Sequence, residues 1–385
     1  MDGRQMKGQR LIIALSFCFL LAAAVALRVV LKSTTDVPPK DHVNHPSSHA
    51  SLGPSLPPAS VLWRTKGSPT LNTPTRLPDG WLVTSPKGEI FYLTEAGILR
   101  WQVAYSNCAW QASALIDMET ACAVTQKGEL ICFNLSTGEL RWRSETHLYC
   151  VQPPMVTEIQ SETVLILLSQ EEGTLLCLNA KDGQIRWRSP ATNRTDSPPI
   201  CFGETIAYGN CDATVYLFSL TNGHLKGSIP LNDDEQVAGS LLRLPTGQLV
   251  VGTRTGSLAL LDPNALTCLA RVKISESETF ATPTLVDPSH FVMPTPEGKL
   301  TYWQWQKTAL IPDGELQLAT RFDETIIHEG VFWGIAGPII VALRLTDRTE
   351  LFRASPGDNL QNLAPGRGGK CLLLADGELL CVKGF

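Results

Sequence analysis

Residue types capable of acid–base, nucleophilic or metal chemistry occur in this sequence, but not at spacings that make a site. Beyond position 59 the histidines are His147, His224, His290 and His328, and none stands at a metal-ligand distance along the chain from another His or a Cys. No His-Glu-x-x-His, phosphate-cradling glycine loop or strong nucleophile motif is present. Asp212, Asp262 and Asp376 are of a type that binds calcium, yet each falls beside a turn, where a carboxylate usually bonds to nearby backbone. His42, His45 and His49 offer imidazoles to a metal from a Pro/Ser-rich stretch with nothing to fix their geometry. The expectation is no catalytic residue, no metal, no cofactor and no enzyme.

Eleven cysteines carry the remaining reactive chemistry. Cys18 lies inside an apolar run behind a bulky Phe17, where a lipid-anchoring cysteine needs a small residue before it, so it reads as an ordinary membrane cysteine. The other ten are an even number in a chain that reads as facing an oxidising space. Cys122/Cys132 and Cys371/Cys381 each flank a glycine-containing turn and are candidate disulfides. Against this, Cys132, Cys177 and Cys381 share one strand position and serve equally well as small apolar core residues. Asn134 and Asn193 open glycosylation acceptor triplets that matter only in a eukaryotic host.

The chain has 385 residues, 43% hydrophobic and 18% charged, which is enough apolar material for most of it to fold. With 32 basic against 37 acidic residues there is no basic surplus, so nucleic acid is excluded as a partner. Residues 11–27 carry no charge, follow a basic stretch, and continue past Arg28 into Val29-Val30-Leu31. At about 1.5 Å per residue such a run spans most of a hydrocarbon core of roughly 30 Å. Residues 1–32 therefore read as a signal anchor that holds the chain to the membrane; Ala24-Val25-Ala26 offers the alternative of cleavage as a signal peptide. By either route the basic end stays cytoplasmic and the remainder lies outside, in the periplasm if the host is bacterial. Residues 33–59, rich in Pro, Ser and His without apolar periodicity, read as an extended tether.

From residue 60 on, one segment recurs. Lys87 to Leu93, Lys127 to Phe133 and Glu172 to Leu178 are the clearest copies, and eight copies begin at 88, 128, 173, 213, 256, 298, 337 and 377. Each sits among short apolar runs between turn signals, too short for most helices and suited to β-strands. About four strands in each unit of 40 to 45 residues is the pattern of propeller blades. The last unit stops at Phe385 without a fourth strand, while Ser60-Val61-Leu62-Trp63-Arg64 resembles the fourth strand of the others. The expected fold is an all-β, eight-bladed propeller over residues 60–385, closed by an N-terminal strand and preceded by the membrane or signal helix.

The tryptophans keep phase with the blades. Gly97 to Trp101, Gly138 to Trp142 and Gly183 to Trp187 share the spacing Gly-x-x-Arg-Trp, and Gly223 to Gly227 keeps the frame without the Trp. A large ring at one place per blade suits packing between neighbours, so Trp63, Trp101, Trp142 and Trp187 are read as blade-packing residues.

At these residues, and most clearly in Glu172 to Arg188 (EGTLLCLNAKDGQIRWR), the sequence resembles the pyrroloquinoline-quinone (PQQ) repeat. Two groups share it. The quinoprotein dehydrogenases hold the quinone with calcium over the propeller axis, and many place a disulfide of adjacent cysteines beside it; this chain has no Cys-Cys pair. The other group is non-catalytic and includes the propeller lipoprotein of the outer-membrane β-barrel assembly machinery. That resemblance implies a membrane-tethered scaffold in the cell envelope that binds protein partners through its propeller loops and the membrane through its N-terminal helix. The alternative it leaves is an exported quinoprotein-type enzyme.

Overall fold

In the computed structural model, residues 60–66, 71–105, 108–357 and 359–385 are described. The candidate anchor (1–32) and the tether (33–59) lie outside them. One compact unit, Leu56–Phe385, contains every described residue. Thirty-two strands form eight four-stranded antiparallel sheets, seven of them built from consecutive strands. These blades occupy 75–104, 110–145, 155–188, 200–230, 242–273, 284–317, 324–354 and 360–383, numbered one to eight below. Among the described residues no helix is long and apolar enough to cross a membrane.

Blade eight confirms how the ring closes. Its sheet runs from Leu360–Pro365 through Lys370–Ala375 and Glu378–Lys383 to Ser60–Lys66, so the first described strand is the outer strand of the last blade. Trp63 faces Cys381 and Lys66 faces Glu378 in that ladder. Prolines 153–154, 198–199 and 283 precede the inner strands that start at Met155, Ile200 and Thr284; there they need no ladder hydrogen bond.

The strand sequences follow from this stacking. A second strand such as Glu162–Leu168 is sandwiched between two neighbouring blades, and side chains alternate between sheet faces. Leu165 and Leu167 therefore pack towards blade two, while Val164 and Ile166 pack towards blade four. Both faces are apolar, which turns the expected alternation into an unbroken run. Outer strands such as Leu99–Ala104 and Leu140–Glu145 face solvent on one side and alternate. Eight apolar clusters result, and each is shared by two adjacent blades. The core is a ring of interfaces without a common centre.

Each of the four tryptophans docks on the next blade. Trp101 Nε1 donates to Leu135 O at 2.8 Å and its ring covers Gly138, where a Cβ would stand 2.8 Å from the indole. Trp142 repeats this with Ala180 O and Gly183, Trp187 with Leu220 O and Gly223, and Trp63 with Glu95 O and Gly97 across the closing seam. The four glycines have φ between +71° and +77°, so glycine is required twice, for the backbone and for the ring above it.

After blade four the roles change hands. Gly227 occupies the tryptophan position, and the glycine position of blade five is taken by Leu266 at φ +55°, with its Cδ1 2.5 Å from where a Gly227 Cβ would be. Between blades six and seven, Gly314 stands where the ring would be. Arg348, at φ +59°, fills the space and donates to Asp313 O over the Tyr302 ring.

Candidate functional site

One face of the ring carries the connections between blades and the turns between second and third strands. Buried hydroxyls or amides start many of those turns: Ser85, Thr125, Ser169, Asn210, Thr253 and Thr295. Thr125 Oγ1 accepts from Glu129 N, and Thr253 Oγ1 from Ser257 N, so the side chain supplies the turn's missing acceptor. The connections are bonded to the turns on both sides, as in Thr195 N to Gln170 O, Cys211 N to Arg194 O and Arg254 N to Gln236 O. The loops of this face are therefore held by backbone hydrogen bonds.

On that frame stand two polar clusters, one at blades three and four and one at blade five. Asp196 takes Gln170 Nε2 at 2.5 Å and Arg194 at 3.3 Å, and Gln152 donates to its carbonyl. Further on, Arg254 bonds Gln236 Oε1 and both oxygens of Glu278, and its guanidinium lies 5.2 Å from the centre of the Phe280 ring. Phe280 is 56% exposed, and it is the one large exposed apolar side chain that the loops of this face present among the described residues. Sequence reasoning missed this pair, because Arg254 sits in a turn of blade five and Phe280 in the connection to blade six; the signal was an aromatic inside the polar run SESETFATPT.

Beside Phe280, between blades six and seven, opens a cleft of about 830 Å³. Its walls include Thr284 at the start of the inner strand Thr284–Asp287, residues Glu324 to Ile327 of the inner strand Glu324–His328, and the turn at Thr295 to Glu297. Three carboxylates are fixed there. Burial opposes ionisation of Glu297, but bonds from Ser275 and Ser277 win and hold it down to about 2. Asp323 Oδ2 accepts from Gly337 N. Glu324 Oε1 accepts from Leu363 N, while burial pushes its carboxyl above the ordinary range. A second cavity, of about 490 Å³, forms where blades eight, one, two and three converge, and its lining of Asn72, Gln111, Gln152, Asn362 and hydroxyls carries no charge.

The residues weighed for chemistry do not converge. Asp262 Oδ1 accepts from Asn264 N and Ala265 N, an ordinary turn cap. Asp212 accepts from Tyr216 OH and Asp376 from Asn359, in other blades. His290 has Asp287 and Ser289 on the same nitrogen, Nδ1, and Gln304 on Nε2, so no nucleophile faces a base that a carboxylate orients from behind. Among the described residues no group of three or more His, Cys, Asp or Glu is placed to hold a metal ion. A quinone tricarboxylate with calcium needs cationic and carboxylate partners, and the uncharged second cavity offers neither.

The cysteine pairs need correcting. All ten described cysteines are free. Cys122 and Cys132 do face each other across their hairpin, but as thiols. Cys371 faces Val382, and Cys381 faces Leu372, because the turn centres between Asp376 and Gly377. A one-residue offset sends the two side chains to opposite faces: Cys371 packs towards blade seven and Cys381 towards blade one. No bridge can form there without re-registering the strand.

Solved structures similar to this chain share the ring at low identity. BamB from Moraxella catarrhalis is 15% identical, with a TM-score of 0.65 over 83% of this chain and all of that one. The computationally designed Ika8 protein is 13% identical with a TM-score of 0.67, over 84% and 99%. The C-terminal WD40 domain of Sif2 is 10% identical with a TM-score of 0.69, over 85% and 99%. No curated protein matches by sequence. The sequence model of one family, described as outer membrane protein assembly factor BamB, matches residues 58–273, more than half of the chain. With its PQQ-like repeats closed into eight blades, this chain belongs to that family.

Proposed function

We propose that this propeller is a non-catalytic scaffold, tethered to a membrane by its N-terminal segment, whose loop face binds a protein partner outside the cytoplasm in the cell envelope. The observation that carries this reading is the exposed Phe280 backed by Arg254 on a loop face fixed by backbone hydrogen bonds. Aromatic and arginine side chains dominate the energy of protein interfaces, and a preset surface loses little entropy on binding. The dispersed carboxylates and histidines support binding over catalysis. Membrane tethering rests on the uncharged residues 11–27 alone.

A photo-crosslinking residue in place of Phe280, in the full chain in its native membrane, tests the reading. One discrete protein adduct is expected, absent when the crosslinker replaces exposed Leu225 on the outer strand of blade four. Adducts equal at both positions, or a calcium-dependent absorbance change on titrating pyrroloquinoline quinone, would overturn it.

A further inference from the structure

The cleft between blades six and seven has a built interior that the scaffold reading does not use. Thr295 lines it and is only 2% exposed, yet its hydroxyl has no hydrogen-bond partner. Glu297 is its neighbour in the cleft lining, and Thr295 helps to hold that carboxylate charged. A buried hydroxyl left unpaired costs on the order of 1–3 kcal/mol, so an incoming polar group that bonds it is favoured.

Charge narrows the chemistry of that group. Glu278 at the rim is neutralised by Arg254, which leaves Glu297, Asp323 and Glu324 against the single guanidinium of Arg321. The surplus is negative. Burial disfavours ionised Glu324, and a cation beside it would relieve that penalty. A metal ion is a poor fit, since no set of three ligands converges among the described residues.

The walls narrow its shape. Thr284–Asp287 and Glu324–His328 are the terminal strands of their sheets, so one edge of each has no ladder partner. Each runs four or five residues, about 13–17 Å at 3.3 Å per residue. Unpaired strand edges take up extended peptide, with pockets beside them reading alternate side chains.

We propose that this cleft receives an extended peptide segment bearing lysine or arginine, its backbone along the free inner edge of Glu324–His328 and its cation among Glu297, Asp323 and Glu324. This rests on the scaffold reading and adds a second, chemically defined contact beside Phe280.

Fluorescence anisotropy on the full-length protein, with a labelled decapeptide alternating Lys and Val, tests it. The expected result is saturable binding, lost when Glu replaces Lys in the peptide. Asp323→Asn and Glu297→Gln are each expected to weaken binding about tenfold, the scale of one charged contact. Thr284→Trp, which fills the cleft and removes no carboxylate, should abolish binding while the thermal transition stays in place. Spermine should compete only weakly, because it cannot pair with a strand edge. No saturable binding, binding indifferent to all three variants, or displacement by spermine at equal affinity would each overturn the proposal. The Phe280 adduct is read separately: its survival in the Thr284→Trp variant would leave the scaffold reading standing if the cleft fails.

Discussion

Leu266 and Gly227 hold the inverse of the relationship between Gly138 and Trp101: the large side chain comes from the turn of the following blade, and the outer strand supplies the space. Either arrangement fills one interface once. Gly227→Trp alone should clash with Leu266, and Leu266→Gly alone should leave a cavity, each costing about 2–4 kcal/mol. The double variant restores the pattern of blades one to four and should recover at least 1 kcal/mol of the summed cost, a coupling that urea titration of all four proteins will measure.

Where the common arrangement stands, it should be intolerant of a methyl group. Gly138→Ala places a Cβ 2.8 Å from the Trp101 ring at φ +75°. Adding about 1–2 kcal/mol for the left-handed backbone to an overpacking cost of similar size gives a loss of roughly 2–4 kcal/mol. Gly330→Ala, also at positive φ but with open space around it, should cost only the backbone part. Thermal denaturation of the two variants separates the contributions.

The closing seam between blades eight and one is ionic as well as aromatic. Glu95 accepts from Lys370 Nζ and Arg76, each at 2.7 Å. Burial alone would push its carboxyl up, but the hydrogen bonds and charges of these two cations outweigh it and hold it below the ordinary range. A carboxyl depressed in the folded state stabilises fully above its unfolded value near 4.3, and the contribution fades as pH falls through the folded value. Glu95→Gln should therefore lower stability by about 1.5–3 kcal/mol at pH 7, and the gap to the parent should narrow steadily below about pH 4. Denaturant midpoints at pH 7, 5 and 3 check it; a gap constant with pH would refute the ionic role.

Thiol chemistry should sort by burial. Burial pushes Cys132, Cys150, Cys177 and Cys381 up to about 12, and Cys122 and Cys371 are wholly enclosed. Native protein should react slowly with a disulfide reagent at half-buried Cys201, Cys211 and Cys268, and at the buried positions only after unfolding. Dithiothreitol should leave the melting temperature unchanged. A drop on reduction would mean a bridge between Cys122 and Cys132, which face each other across their hairpin, since the register at Cys371 and Cys381 permits none.

The ring was legible in the sequence because its repeat is covalent: Gly-x-x-Arg-Trp and the turn glycines recur in phase, and the orphan strand at Trp63 matches the missing one at Cys381. Leu266 and Arg348 hid their blades' phase, since each puts an ordinary side chain at a left-handed position that reads as glycine elsewhere. The Cys371/Cys381 symmetry misled because counting outward from a turn depends on whether its centre falls on a residue or between two. Phe280, Arg254 and the three cleft carboxylates were illegible for a different reason. They lie in turns, connections and one strand start spread from blade five to blade seven, and only the stacking of those blades brings them to one place.

Closure by the first strand also sets an order in time. Ser60–Lys66 leaves the ribosome early, and its ladder partner Glu378–Lys383 is made about 310 residues later. At roughly 5–20 residues per second, that is a delay of about 16–60 s, during which the strand has no partner and blade one lacks the face that Trp63 will cover. Seven blades can stack as they emerge, but the seam waits for Glu378–Lys383. The interval before Glu378–Lys383 is made is therefore when the chain is most open to aggregation, proteolysis or capture by a holding chaperone.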